Sequence, residues 1–510
     1  MNAKELSFGT HAAENPAYGL ARWLPLFAVF AAGILLRNFV VANTDVSWLI
    51  TLCEKALNGE RPYADYIEVN PPASIWLYMT PVWLARVTGI RPEFMVDAFV
   101  FAAAIASLFL SAAILRRAAL LTQQTEAQLA AFFAAVLLLL PAQTFGEREH
   151  IALMTFLPFL ALAAVRVKNA TVPTLFVLLA GAGIGITAII KPHFVFAIVF
   201  VAGVSAWESR SWRVFFAPEN WIAGGALLVY GALVYLLHPE FIAHTLPLVA
   251  EIYVPVRADL WRFLVHVATP VFALLLIAIG LLKGRQALRA PFSLLLAACF
   301  GFAISYYGQL KGWSYHAYPM LALAFVAAAI AFAGRWPLTE SRRETAPERA
   351  KRLFAAFSIA FLAAATFVWM TFAVDMRPIY SVIAKSAPRP SVIGITSDIA
   401  VGHPLTRALG GRWVGRVCSQ WITAGAKILK AETTDPLQRA RYDALEAYDR
   451  NLLIEDIRRA KPDIILVEQI RFDWMKWALS DPVLARELEN YFELAHLHDT
   501  RILRRKSGVD

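Results

Sequence analysis

Long apolar runs separated by short polar segments dominate the chain between Trp23 and Val374, and then they stop. A helix rises 1.5 Å per residue, so roughly 18 to 23 apolar residues cross the ~30 Å hydrocarbon core of a bilayer. The pattern therefore predicts a polytopic α-helical membrane protein. We expect about eleven transmembrane helices, at residues 23–42, 94–116, 127–145, 150–167, 172–190, 193–208, 219–237, 263–282, 289–308, 316–334 and 353–374.

One further apolar segment, Ala73–Gly89, is not counted as a span. It is short, contains Pro81 and Arg86, and follows a helix-breaking Asn-Pro-Pro sequence. Leaving it out puts the most basic loops on the same side as the N-terminus, and by the positive-inside rule that side is the cytoplasm. These basic positions are Arg116, Arg117, Arg166, Lys168, Arg210, Arg213, Lys283, Arg285, Arg289 and the run Arg335 to Arg352.

This topology gives a long first external loop, residues 43–93. Long loops in compact proteins usually carry function. We interpret Ser47–Asn58 and Ala73–Thr88 as two helices in the outer membrane interface. The residues expected on their membrane-facing sides are Trp48, Leu49, Leu52, Trp76, Leu77 and Trp83. A re-entrant plug without chemistry is the alternative.

The pattern changes after the last span. Residues 1–374 are predicted to form the transmembrane domain, and residues 375–510 a small soluble α/β domain in the periplasm. Its strand-like runs are Ser391–Thr396, Asp463–Glu468, Glu493–Leu497 and Arg501–Arg504, with a helical stretch near Leu437–Arg459. An acceptor-binding domain or lid and a purely structural cap remain equally open.

Composition narrows the class of protein. With 58% hydrophobic residues, 17% charged residues and a mean hydropathy of +0.54, the chain is not an ordinary soluble enzyme. The net charge of +10 arises from short loops between apolar runs, so we expect membrane lipids and no nucleic acid as partners. The three cysteines show no metal-binding spacing.

Charged residues cluster at the predicted outer ends of the spans, where their cost near the membrane makes them functional candidates. Asp45 follows the first span, and the same loop contains Tyr63 and Glu68. The other clusters comprise Glu147, Arg148, Glu149 and His150; Lys191 and His193; Lys311 and His316; and Arg257 after the seventh span. Carboxylates beside cations suit group transfer from a phosphate-bearing lipid, because a carboxylate can deprotonate the acceptor and cations can stabilise the leaving phosphate.

The segment from Asp45 to Pro72 resembles the GT-C superfamily of membrane glycosyltransferases, which use polyprenyl-phosphate-linked sugars. This family includes the protein mannosyltransferases and the aminoarabinose transferase of lipid A. The resemblance rests on an acid just beyond the first span, then Asn-Gly-x-x-Pro-Tyr-x-Asp-Tyr, and then Asn-Pro-Pro before a predicted interfacial helix. In architecture it covers the whole chain.

The resemblance implies an inverting sugar transfer to a cell-envelope lipid, glycolipid or glycan at the outer face of the bacterial inner membrane. It assigns the catalytic base to Asp45 and a second acid to the next external loop, where Glu149 is preferred and Glu147 is the alternative. The expected donor-phosphate and substrate-binding residues are Arg148, His150, Lys191, His193, Arg257, Lys311, His316, Tyr63 and Glu68. No cofactor is expected with certainty, although Mg²⁺ or Mn²⁺ between Asp45 and a second-loop glutamate would suit hard oxygen ligands.

Three other classes of membrane protein handle similar lipids or solutes. A secondary transporter is disfavoured because the halves of the chain do not match and the charges gather at one membrane face. An envelope polysaccharide polymerase or ligase and a lipid-linked sugar flippase remain alternatives. The Asp45 to Pro72 loop is the feature that favours a GT-C glycosyltransferase over them.

Overall fold

The computed structural model describes residues 21–121, 123–333, 346–497 and 499–508. The predicted cytoplasmic N-terminus and part of the basic run that starts at Arg335 lie outside the described residues. The helices of the membrane domain are α1 Leu24–Leu36, α2 Thr44–Leu57, α3 Ala73–Thr88, α4 Pro92–Leu115, α5 Gln123–Leu138, α6 Arg148–Arg166, α7 Thr174–Ile190, α8 Val195–Ser209, α9 Pro218–Leu237, α10 Phe241–Tyr253, α11 Leu260–Val265, α12 Ala268–Lys283, α13 Phe292–Gln309, α14 Ser314–Phe332 and α15 Ala346–Met370.

Eight helices in the described ranges are long and apolar enough to cross a membrane, namely α4, α6, α8, α9, α12, α13, α14 and α15. The polytopic helical fold class is therefore confirmed. The other three predicted spans coincide with the shorter apolar helices α1, α5 and α7. Helix α1 has only 13 residues and ends at Leu36, and α5 ends at Leu138 rather than 145, so the count of eleven stays a prediction.

The helices form a bundle in which some helices are almost entirely buried and others are largely exposed. In the apolar windows of α6 and α14, 83% of the residues are buried, whereas the figure for α9 is 11%. Helix α9 exposes Leu228, Trp221 and Leu236, apolar side chains suited to lipid contact. The first turns of the two central helices therefore lie deep within the protein, and these turns carry Arg148, Glu149 and His316.

The loop of residues 43–93, predicted to be the first external loop, contains the two expected helices, α2 and α3. The Asn43 side chain caps α2 by accepting hydrogen bonds from the backbone N–H groups of Asp45 and Val46, at 2.7 and 3.2 Å. One expectation about α2 was wrong. Trp48, Leu49 and Leu52 do not face the membrane but are at most 2% exposed. The physical reason is that α2 packs between α3 and the C-terminal part of the chain.

The C-terminal part contains a five-stranded sheet with the order β2-β1-β3-β5-β4. Strands β1, β2 and β3 pair in parallel, and β5 pairs antiparallel with β3 and β4. The four predicted strands and the long predicted helix are all present. The elements are α16 Arg377–Ser386, β1 Ser391–Ile395, α17 Leu405–Ala408, β2 Arg412–Trp413, α18 Trp421–Glu432, α19 Pro436–Ala460, β3 Ile464–Glu468, α20 Trp474–Leu479, α21 Pro482–Leu488, β4 Tyr491–Leu497 and β5 Thr500–Arg505.

An arginine joins the sheet region to the membrane domain. Arg407, in α17, donates hydrogen bonds of 2.5 and 3.0 Å to the Glu54 carboxylate and one of 2.7 Å to Glu93. The side chain of Arg407 is 10% exposed and that of Glu54 is 40% exposed, so this contact is partly shielded from water. It ties α2, whose first turn carries Asp45, to the C-terminal sheet.

Candidate active site

A cavity of about 780 Å³ lies between the ends of the membrane helices and the C-terminal sheet. Polar and charged side chains from distant parts of the sequence line it. The sequence-predicted site residues among them are Asp45, Glu68, Arg148, Lys191, His193, Arg257, Lys311 and His316. The structure therefore brings eight of the twelve candidates to one cavity.

Asp45 lies in the first turn of α2, held there by the Asn43 cap. Its Oδ2 accepts a 2.8 Å hydrogen bond from Nη2 of Arg148. The side chain of Arg148 is 2% exposed, and its Nη1 lies 3.5 Å from Ser74 Oγ in α3. Among the described residues, none donates a hydrogen bond to Asp45 Oδ1, so this oxygen has no protein partner there.

Glu147, beside Arg148, begins α6 rather than lining the cavity. It is the N-cap residue of that helix, and its Oε2 accepts from the backbone N–H of Arg148 at 3.3 Å. Glu147 is fully buried, and its Oε1 has no hydrogen-bond partner in the described part of the chain. The cap explains why α6 starts here, since a carboxylate at a helix N-terminus satisfies free backbone N–H groups.

Lys191, Glu149 and His316 form a second charged group. Lys191 Nζ is ion-paired with Glu149 Oε1 and lies 3.0 Å from His316 Nε2. His316 Nε2 is also 3.3 Å from the same glutamate oxygen. Lys191 and His316 line the cavity, and the buried Glu149 stands behind them. The glutamate thus fixes the position of the lysine at the cavity wall.

Lys311 closes another wall of the cavity. Its Nζ donates hydrogen bonds to the carbonyls of Tyr253, at 2.6 Å, and Val256, at 2.5 Å. The ammonium also lies 4.3 Å from the centre of the Tyr253 ring. Burial, with the nearby positive charge of Arg257, lowers the pKa of Lys311 to about 8. Lys311 therefore titrates near physiological pH.

Glu68 organises the first external loop around the cavity. Its Oε2 accepts a 2.5 Å hydrogen bond from Trp48 Nε1, and its Oε1 accepts from the backbone and side-chain nitrogens of Asn70. Burial raises the pKa of Glu68 above its usual value, opposed by Arg148 and by these hydrogen bonds. The residue holds Trp48 and the Asn-Pro-Pro segment in place.

Two candidates point into the protein instead of the cavity. His150 accepts from the Gly146 backbone N–H at 3.0 Å through Nδ1, and its Nε2 lies 2.7 Å from the Leu137 carbonyl. Both ring nitrogens are thus used within the bundle. Tyr63 donates a 2.6 Å hydrogen bond to the Asn70 carbonyl and packs its ring on Phe241. Neither is among the residues that line the cavity.

Residues of the C-terminal region that the sequence analysis did not single out also line the cavity. They are Ser397, Asp398, Ile399, Cys418, Ser419, Trp421, Glu468, Ile470 and Arg471. Several of them follow the carboxyl ends of the parallel strands β1 and β3. The sequence contained a usable signal, because ligands of open parallel sheets bind outside the carboxyl ends of the strands.

Two acidic side chains, Asp45 at the cavity and Glu149 behind its wall, are both paired with cationic side chains. In the ranges that the structure describes, no group of three His, Cys, Asp or Glu side chains is placed to hold a metal ion. Asp45 is paired with Arg148, and Glu149 with Lys191. The guanidinium group of Arg148 and the ammonium group of Lys191 therefore balance the charge of these two carboxylates.

The order of the helices, the long loop of residues 43–93 and the C-terminal sheet form a fold known from solved membrane-protein structures. The same fold is found in ArnT from Cupriavidus metallidurans. The crystal structure of that protein bound to undecaprenyl phosphate has a TM-score of 0.57 and 11% identity, and it covers 95% of this chain and 98% of ArnT. The apo structure has a TM-score of 0.56 and 12% identity, over 96% of this chain and 98% of ArnT.

The fold expected from the first-loop motif is therefore confirmed. No family model matches the chain, and no curated protein matches it. A structural likeness at this low identity establishes the fold alone, because one fold hosts many activities.

Proposed function

We propose that this protein is a polyprenyl-phosphate-dependent glycosyltransferase of the cell envelope. It transfers a sugar from a polyprenyl-phosphate donor to a lipid, glycolipid or glycan acceptor. The observation that carries the proposal is the convergence of Asp45, Arg148 and Lys191 on one cavity. The binding of undecaprenyl phosphate by ArnT, which shares the fold, supports the lipid donor.

The proposed reaction is a single displacement at the anomeric carbon. Asp45 removes the proton of an acceptor hydroxyl, and the acceptor oxygen attacks the anomeric carbon as its bond to the phosphate oxygen breaks. The polyprenyl phosphate leaves with the bonding electrons and gains one negative charge, while Asp45 gains the proton. One in-line displacement inverts the anomeric configuration.

The cations of the cavity suit the charge that develops on the leaving phosphate. Lys191 and Arg148 are both buried, so few water molecules weaken their interaction with an anion. Glu149 acts through Lys191 by fixing the ammonium group, and we propose it as the second acid. His193 and His316 are placed to hydrogen-bond the phosphate or the acceptor.

The proposed location follows from the helices and the charge pattern. The chain lies in the bacterial inner membrane, with the N-terminus in the cytoplasm and the cavity and C-terminal domain on the periplasmic side. Helix α6 supports this assignment, because it runs from Arg148 at the cavity to the predicted cytoplasmic Arg166 at its other end.

The test is a transfer assay with the purified protein, radiolabelled polyprenyl-phosphate sugars and envelope acceptors. The Asp45→Asn variant should lose transfer by at least about 100-fold, because an amide cannot accept the proton. Asp65→Asn is the matched control, since Asp65 lies in the same loop, is partly exposed and does not line the cavity. The product anomer, read by NMR, should be inverted relative to the donor.

Three results would contradict parts of the proposal. Transfer that survives Asp45→Asn removes this residue as the base. Labelled sugar or lipid that crosses the membrane of proteoliposomes without being transferred favours a transporter or flippase. Loss of activity in EDTA, restored by Mg²⁺ or Mn²⁺, adds a divalent cation to the reaction, whereas we expect Arg148 and Lys191 to sustain transfer without it.

A further inference from the structure

In the C-terminal sheet, the order in which strands are added reverses at β1 and β3, whose carboxyl ends face the cavity. Strand β1 pairs in parallel with β2 on one side and with β3 on the other. The chain therefore leaves β1 to form β2 on one side and later returns to form β3 on the opposite side. Such a reversal opens a crevice at the carboxyl ends of the two central strands, where open α/β sheets bind ligands.

The loops that form this crevice are fixed by one buried carboxylate. Glu468, the last residue of β3, accepts hydrogen bonds from the backbone N–H groups of Ser397, at 2.6 Å, and Asp398, at 3.0 Å. The Ser397 hydroxyl also donates to Glu468, at 3.0 Å. Glu468 is 1% exposed. The loop after β1 is therefore held against the end of β3 before any ligand arrives.

One acidic and one basic side chain of the crevice, Asp398 and Arg471, are available to bind a ligand. Asp398 uses Oδ1 to accept from the Ala400 backbone N–H at 2.8 Å, and no hydrogen bond to its Oδ2 is found among the described residues. Arg471, which is exposed, makes no ion pair in the described part of the chain. Ser419 and Trp421 also line the cavity.

This combination of groups suits a carbohydrate. Sugar hydroxyls both donate and accept, so they can use a carboxylate and a guanidinium at once, and a flat aromatic side chain offers the apolar face that a sugar ring needs. A peptide would instead add to an exposed edge strand of a sheet. The cavity meets the ends of β1 and β3, which are inner strands, and not a free edge.

The crevice adjoins the helix that carries the proposed base. Helix α2 packs against the turn Ile399–Val401, which directly follows Asp398. The ring of Trp48, one turn after Asp45, lies 5.1 Å from the ring of His403 in the C-terminal region. Asp45, Trp48 and Asp398 line one continuous cavity, so a ligand in the crevice can extend to the base.

We propose that the crevice at the carboxyl ends of β1 and β3 binds the carbohydrate headgroup of the acceptor through Asp398 and Arg471. That the bound sugar belongs to the acceptor rests on the function proposed above, whereas the binding of a sugar at this crevice does not. The C-terminal domain is then the acceptor-binding domain rather than a structural cap. Glu468 is a positioning residue of this site.

The experiment measures binding without turnover, on the full-length protein in nanodiscs. The probes are a panel of hexose, hexosamine and heptose disaccharides, a glycolipid bearing the best-binding sugar, and a peptide rich in serine and threonine. Arg471→Ala should weaken sugar binding by about tenfold or more, because it removes a charged hydrogen-bond donor. Asp398→Asn keeps the cap on Ala400, removes the charge and should weaken binding similarly.

Two controls separate a local effect from a general one. Arg486→Ala changes another exposed arginine of the same domain, away from the cavity, and should leave sugar binding unchanged. Binding of undecaprenyl phosphate should be equal in all variants, because its proposed contacts are Arg148 and Lys191. Tighter binding of the glycolipid than of the free disaccharide identifies a lipid-borne headgroup, and equal binding identifies a free glycan; both support the site.

The proposal is overturned if no member of the sugar panel binds the wild-type protein. Wild-type affinity in both Arg471→Ala and Asp398→Asn overturns it as well, as does binding of the peptide alone. Failure of the proposed function has a different signature. Sugar binding would then still depend on Arg471, but no labelled sugar would be transferred from any polyprenyl-phosphate donor.

Discussion

Arg148 and Asp45 face each other across the first turns of two helices, with Nη2 of the arginine 2.8 Å from Oδ2 of the aspartate. The two residues are 103 positions apart in the sequence. Their contact joins the first external loop to the start of the central helix α6. Because the arginine is almost fully buried, the charge-assisted hydrogen bond is strong, and the loss of either partner leaves a charge that is poorly solvated.

Replacement of Arg148 should therefore affect the chemical step. We expect Arg148→Lys to lower kcat by about 100-fold, because a lysine cannot reproduce the planar hydrogen-bond geometry that orients Asp45. Steady-state kinetics with varied donor measures this. Arg166→Lys is the control, since Arg166 pairs with Glu219 at the opposite end of α6. A rise in donor KM at unchanged kcat would instead make Arg148 a phosphate-binding residue only.

Lys311 should make donor binding depend on pH. Its pKa of about 8 means that the ammonium is charged below this pH and neutral above it. Affinity for undecaprenyl phosphate should thus fall as the pH rises through about 8, as one positive charge near the cavity is lost. Lys311→Arg should abolish the fall, because arginine stays protonated. An unchanged pH profile in this variant would exclude Lys311 as the titrating group.

Arg407 should stabilise the contact between the two parts of the chain. Arg407→Ala removes the partner of Glu54 and leaves Glu93 with Arg91 as its remaining ion-pair partner. We expect a loss of about 2 kcal/mol in the free energy of unfolding, because Glu54 is partly exposed and the full cost of breaking a buried pair does not apply. Denaturant titration measures it. Arg377→Ala is the control, because it breaks an exposed ion pair with Asp375 and should leave the free energy of unfolding unchanged. Equal effects of both substitutions would contradict a specific role for Arg407.

His403 should destabilise the protein in acid. Its ring is fully buried between Trp48 and Trp413, and burial lowers its pKa to about 3. The unfolded chain takes up the proton near pH 6.5, so the free energy of unfolding falls as the pH drops from about 6.5 towards 3.

The test compares wild type and His403→Phe at pH 7 and pH 4.5. The wild type should lose about 2 kcal/mol more than the variant, because phenylalanine does not titrate. His496, exposed in β4, is the matched control, and its replacement by phenylalanine should keep the wild-type loss. Identical losses in wild type and His403→Phe would show that another group controls stability in acid.

Much of the fold could be predicted because its signals are local. The long helices of the bundle and the strands β1 and β3 each leave a run of apolar residues that can be read directly. The direction in which a helix face points is not local. Trp48, Leu49 and Leu52 form an apolar face on α2. Such a face can be buried either in the membrane or against another part of the protein, so its presence does not show which of the two it contacts.

The candidate site was only partly predictable for the same reason. The criterion of a charged residue near a predicted membrane boundary selected Asp45, Arg148 and Lys191. The structure brings these three residues to one cavity. The same criterion also selected His150, whose ring nitrogens are used by the backbone of the bundle. Residue type and depth do not reveal which side of a helix start faces the cavity.

The sequence by itself determined the class of architecture, the first-loop motif and the set of charged residues, because hydropathy and residue type are properties of short segments. The tertiary structure alone decided that Asp45 pairs with Arg148, that Lys191 is held by Glu149, and that Asp398 and Arg471 face the same cavity. These relationships join segments far apart in the chain. They depend on how helices and strands pack, and no local pattern encodes that packing.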